Sequence, residues 1–355
     1  MINNFKIPCR FGQILFLDGI LMKNRILLSA ILSLVTIFSS CKKETEECQL
    51  DEDILNTDVE LKIVRLESDF FSAKTSEEFT YLFENHPYFA EKYLLTSTYP
   101  SKEDLAAELL ATHQDTLMRE LYDEVIIHYP DVMGLEKDLS NAFKYIKHYF
   151  PEFKVPKVYT FVSGFSSDLY IDEEMIVIGL DYFLPADHRF QAPDLPDYIA
   201  KRYEAKYIVP MIVTAISSVY NKTDLKQNSL VAEMIYYGKA YHFTKAILPC
   251  TPDEYIIGYS SEEVAACFDN EVMIWSYFVE NDLLFETNPF EIRKYTGEAP
   301  STVEISPDAP GRVGRWLGWN IVDDYQFNKD VPLTELMEES DTEKIFKLSG
   351  YKPRP

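Results

Sequence analysis

Six histidines, 58 acidic residues and five cysteines are the chain's stock of groups that ligate, titrate or attack. Zinc hydrolysis on a helix needs H-E-x-x-H: two histidines four apart share one face, and the glutamate beside the first takes a proton from zinc-bound water. None of His86, His113, His128, His148, His188 and His242 stands in that pattern, so each reads as a surface or partly buried polar residue. No G-x-S-x-G is present, and Ser163-Gly164 has no histidine near it in sequence. Both phosphate-loop patterns, G-x-x-x-x-G-K-[ST] and G-x-G-x-x-G, are missing, which speaks against a nucleotide ligand. The acid pairs Asp323/Asp324, Glu262/Glu263 and Glu338/Glu339 are adjacent, so on a helix they diverge by about 100° and read as solvated faces. What is left is an unorthodox hydrolytic set, Glu233 and His242 with Asp181 or Glu271, which requires convergence in a cleft.

The cysteines carry a different chemistry. From Met22 the chain reads MKNRILLSAILSLVTIFSSC, with Lys23 and Arg25 before an apolar run from Ile26 to Phe38 and two serines before Cys41. That run is too short to span a bilayer of about 30 Å at about 1.5 Å per residue, and it has the layout of a secretory signal. A signal that ends on cysteine resembles the bacterial lipoprotein signal, in which the thiol is acylated and the peptide is cut before it. Residues 1–40 are therefore read as an upstream extension plus signal peptide with Met22 as the start, and Cys41 as the lipidation site. Several acyl chains are needed because one chain binds a membrane only reversibly. Of the other cysteines, Cys250 and Cys267 are open to a bridge in an oxidising compartment or to burial as free thiols; no Cys/His spacing suggests structural zinc.

Elements must position whatever site exists. KKETEECQLDED after Cys41 has almost no apolar content, so residues 41–56 read as a flexible tether and 57–355 as one domain. VELKIVRL (59–66) alternates as a strand. Helices fit 75–83, 88–95, 102–113, 115–128 and 135–149. Residues 157–184 offer three strands, KVYTFV, DLYI and MIVIGL, joined by polar turns as a small meander. Beyond a proline-rich stretch, helices fit 202–220, 225–248, 252–281 in two pieces, 311–328 and 341–348. The fold class is α+β and mainly α-helical, with a small antiparallel or mixed sheet between helical blocks.

The chain has 46% hydrophobic residues, enough for a substantial core, and a net charge of -24 that falls to -27 once residues 1–40 are removed. Such a surface repels phosphate backbones, so nucleic acid is not expected as a partner.

Three stretches are distinctive together: LVAEMIYYGKAYHFTKAILP (230–249), DNEVMIWSYFVENDLLF (269–285), and APGRVGRWLGWNIVDDY with the later IFKLSGYKP. They resemble the gliding-motility lipoprotein GldB family of Bacteroidota over essentially the whole mature chain. That resemblance implies a domain similar to zincin-like metallopeptidases, which carry H-E-x-x-H on a helix after a small sheet and a glutamate ligand on the next helix. Here the first of those helices offers Pro210, Met211, Ile212, Val213, Thr214, Ala215 and Ser217 instead, and Tyr237 precedes Gly238 where related sequences tend to be acidic. The resemblance therefore implies a pseudo-metallopeptidase with no cofactor. It would be an envelope lipoprotein, lipid-anchored to the inner or outer membrane and facing the periplasm. It would support gliding by binding proteins or peptides, those of the type IX secretion machinery among them. The alternatives are an active hydrolase on the unorthodox set, or a glycan-binding protein with exposed aromatic platforms. Tyr237, Lys239 and Tyr241 mark the lip of the former groove, although a lysine on a long helix is as often simply solvated. Arg315, Trp316 and Trp319 are interface candidates, with core packing as the leading reading for the tryptophans. Gly314 and Gly318, four apart, would let another backbone approach.

Overall fold

The mixed sheet at the centre of the fold has the order β1-β2-β4-β3, from β1 (Ile63–Arg65), β2 (Lys157–Phe161), β3 (Leu169–Ile171) and β4 (Met175–Gly179). The computed structural model describes residues 48–193 and 195–354. The start at Met22, the signal peptide and the lipidation of Cys41 lie outside these residues. Residues from Gln49 onward form one compact unit.

The meander expected over 157–184 does not form. β1 and β4 both run parallel to β2, and β3 is antiparallel to β4 on its outer side. The reason is burial: KVYTF and MIVIG are apolar on both faces and take the centre, while the half-exposed LYI takes the edge. Alternation sorts the two faces. Tyr159, Phe161, Met175 and Val177 meet the phenylalanine cluster of Phe70, Phe79, Phe83 and Phe89. Val158, Ile176 and Ile178 meet the helices Met133–Tyr149 and Ala205–Tyr220. His113, read as surface or partly buried, lies fully buried beside Phe70, Phe71 and Phe79, its Nδ1 2.7 Å from Leu109 O.

Two other boundaries differ from the sequence reading. The first strand begins only at Ile63, and Leu66 already opens the helix Leu66–Ser72. Residues 51–56, assigned to the tether, instead dock on the body. Asp51 caps the helix Glu52–Leu55 by accepting from Asp53 and Ile54 N–H, its own N–H donates to Tyr145 OH (2.8 Å), and Ile54 is buried. Ile54 and Leu55 on the core, the Asp51 cap and the bond to Tyr145 anchor a segment that composition alone marks as solvated.

The second half is built around the helix Leu230–Ile247, started by Ser229 and buried on nearly all sides rather than along one stripe. It crosses Val313–Lys329 at Gly238 and Gly318. A Cβ on Gly238 would run into Gly318 O, and one on Gly318 into Met234 O, so the two backbones touch directly. Gly314 does the same against Tyr295 O. The region expected as two helices over 252–281 is three, Asp253–Ile257, Ser261–Asp269 and Glu271–Glu280, because Gly258 adopts left-handed φ and Ser260 restarts the chain with a capping box to Glu263. Two short helices, Pro289–Thr296 and Leu333–Glu338, carried no sequence signal that was read.

Cys250 and Cys267 are not bridged to each other. Cys267 is a free thiol buried in the second-half core, and burial pushes its pKa up to about 12, which makes it inert. Cys48 and Cys250 are both disulfide-bonded, against the reading of Cys250 as a free thiol.

Candidate ligand cleft

Helix Ala205–Tyr220 lies against the edge strand β3, and Leu230–Ile247 packs beside that helix. Between them opens a cleft of about 770 Å³. Its strand side has unused pairing capacity. Gly179 N–H donates to Asp168 O (2.8 Å) and Asp172 N–H to Met175 O (2.9 Å), with Tyr170 opposite Val177. Residues 168, 170 and 172 thus turn their backbone groups toward β4, and Leu169 and Ile171 turn theirs away. Asp168 Oδ1 takes the Leu169 N–H (2.7 Å), whereas Leu169 C=O and both groups of Ile171 face outward, where no strand of the sheet pairs with them.

The rest of the lining is rich in tyrosine: Tyr203, Tyr207, Tyr236, Tyr237, Tyr241 and Tyr255. From helix Ala205–Tyr220, Met211, Thr214, Ala215, Ser217 and Ser218 reach the cleft. The two best-placed hydroxyls are already engaged, Thr214 Oγ1 with Thr244 Oγ1 (2.9 Å) and Ser217 Oγ donating to Thr214 O (2.6 Å).

One end is charged. Glu298 receives Arg202 through Nη2 (2.6 Å) and Nη1 (3.4 Å), Arg312 through Nε (3.4 Å) and Arg315 through Nη1 (3.3 Å). Burial works against its charged form, but the Arg202 hydrogen bond and the three guanidinium charges outweigh it and hold the carboxyl below its ordinary range. Arg312 also donates to Ile257 O (3.1 Å) and Gly258 O (3.2 Å), which fixes it at a left-handed φ of 63° at the start of Val313–Lys329. Arg315 donates from Nε to Thr296 O (2.5 Å) and stacks on Tyr237 at 3.9 Å.

Of the residues singled out from sequence, Tyr237, Tyr241 and Arg315 stand together in this cleft. Lys239 does not. It is 1% exposed on another face of its helix, where Nζ donates to Lys222 O (2.9 Å), Met337 O (3.1 Å) and Glu339 O (2.8 Å), so it is neither a groove lip nor solvated. Trp316 and Trp319, 2% and 6% exposed, are core residues and offer no platform for a glycan or a partner. Arg202, Arg312 and Glu298 were missed, because they come from three loops whose separation in sequence encodes no spacing.

The unorthodox hydrolytic set is dispersed among separate partners. Asp181 is buried under the turn at Ser163–Ser167 and accepts from Phe165 N–H (2.7 Å) and Ser163 N–H (3.0 Å); burial raises its pKa. Glu233 accepts from Thr296 Oγ1 (2.6 Å), His242 Nδ1 pairs with Asp323 (2.6 Å), and Glu271 accepts from Tyr351 OH (2.6 Å). Among the described residues the one group whose ligand atoms converge, within 4.8 Å, is Glu124, His128 and His188. Its hydrogen bonds suit a neutral imidazole donating to a carboxylate better than a metal. Phe190 N–H donates to His188 Nδ1 (3.1 Å), which leaves the ring proton on Nε2, the atom facing Glu124 at 3.3 Å, and Arg189 takes the other carboxylate oxygen.

A lipoprotein family model described as Gliding motility protein GldB matches residues 47–353. No curated protein and no solved structure matches the chain.

Proposed function

The chain belongs to the gliding motility protein GldB family, a family of lipoproteins of the cell envelope with a role in gliding motility, and from that premise we propose that it acts without catalysis, holding an extended segment of a partner protein in the cleft beside β3. The observation that carries this reading is the outward-facing backbone of Leu169 and Ile171 in a tyrosine-lined cleft. An added strand would gain main-chain hydrogen bonds from β3 and seat alternate side chains against the tyrosines. The same cleft in a zincin-like peptidase would carry zinc ligands, and Met211, Thr214, Ala215 and Ser217 supply none. Cys41, acylated on its thiol and then freed by signal cleavage, is the proposed anchor. No helix among the described residues is long and apolar enough to cross a membrane. A partner from the gliding or type IX secretion machinery, on the periplasmic side, completes the reading.

The test is photo-crosslinking in gliding cells from an amino acid placed at Met211 or Tyr236, with exposed Tyr81 as the remote control. The expected result is a partner segment captured from the cleft positions and not from Tyr81. Equal yields at all three positions would sink the groove reading. Near-stoichiometric zinc together with peptide cleavage by the purified protein would sink the non-catalytic one.

A further inference from the structure

We infer that the arginine end of the cleft receives the terminal carboxylate of the bound segment. This inference rests on the groove reading and adds the chemistry of what the groove selects. At that end three guanidinium groups meet one carboxylate, a local excess of positive charge in a protein of net charge -24. The other acid on the cleft wall, Asp168, is occupied by Tyr203 OH (2.5 Å) and Leu169 N–H. Arg312 is committed to two backbone carbonyls and Glu298. Arg202 and Arg315 have five N–H donors each and use only some of them on Glu298, Thr296 O and Tyr241. Their side chains are 17% and 12% exposed, so they are desolvated enough for charge to count and open enough to be reached.

The planar fork of arginine matches a carboxylate in two-point contact, and Glu298 already shows that a carboxylate fits between these groups. Stacking of Arg315 on Tyr237 holds that fork in place before a ligand arrives. The arginine end is also tied to the strand that would pair with the segment, since Tyr203, next in chain to Arg202, is the donor to Asp168 at the start of β3. A polypeptide satisfies both features at once, main-chain pairing along β3 and a negative group at the arginines.

The experiment uses detergent-solubilised full-length protein and a pooled library of ten-residue peptides, each made with a free and with an amidated carboxyl end. Free-acid members are expected to be retained about tenfold more strongly than their amides. Arg202→Gln with Arg315→Gln should abolish that preference, and Glu298→Gln should strengthen free-acid retention. Equal retention of acid and amide would overturn the carboxylate inference and leave the groove reading standing. Retention of neither would overturn both. Tighter binding of an oligouronate than of any peptide would overturn the polypeptide assignment.

Discussion

Lys239 shows what a buried charge does when no carboxylate neutralises it. Its ammonium is clamped by three carbonyl oxygens from residues 222, 337 and 339, and burial pulls its pKa from 10.5 down to about 8, with Glu339 and Glu338 offsetting part of the shift. Lys239→Met leaves those carbonyls without their donor, and we expect a loss of about 2–4 kcal/mol in urea unfolding. The pH dependence has a definite sign. Between pH 8 and 10.5 the unfolded chain still holds a proton that the folded one has released, so stability gains with rising pH, at most about 1.4 kcal/mol per unit. The gap between wild type and Lys239→Met should therefore widen from pH 8 to pH 10; a gap that narrows would show that the fold favours the charged amine.

At the scale of elements, the crossing of Leu230–Ile247 over Val313–Lys329 is decided by glycine. Gly318→Ala places a methyl group on the backbone of Met234, and Gly238→Ala one on Gly318, so each should cost about 2 kcal/mol or more. Because either change already forces the helices apart, the double variant should cost clearly less than the sum in a double-mutant cycle; strict additivity would mean that the two glycines do not share one contact. This crossing was half legible in the sequence, where Gly314 and Gly318 mark a face for close approach but nothing marks Gly238 as the counterpart. The start of the helix Ser76–Asn85 was legible through its cap Thr75. Strand order was not, because β1 pairs with β2 across more than ninety residues and no local pattern distinguishes that parallel pair from a meander. The cleft was legible at Tyr237, Tyr241 and Arg315, which share motifs, and illegible at Arg202 and Glu298, which only tertiary structure brings to Arg315.

At the scale of the whole molecule, the acidic body and the proposed lipid at Cys41 must act together, since an anionic surface gains nothing from anionic lipid and the acyl chains alone must hold it. Cys41→Ala should abolish labelling by radioactive palmitate and move the protein from the membrane pellet to the soluble fraction; retention in the pellet after a carbonate wash would point to a second means of attachment. The lysine clamp has one more consequence, for the order in which the chain can close. Lys239 finds two of its three oxygens about a hundred residues further on, and Glu271 waits for Tyr351. A polypeptide delivered amino end first therefore reaches its final stretch with the second helical half still unlatched. The closing residues act as a clasp that can fasten only when the last segment has arrived.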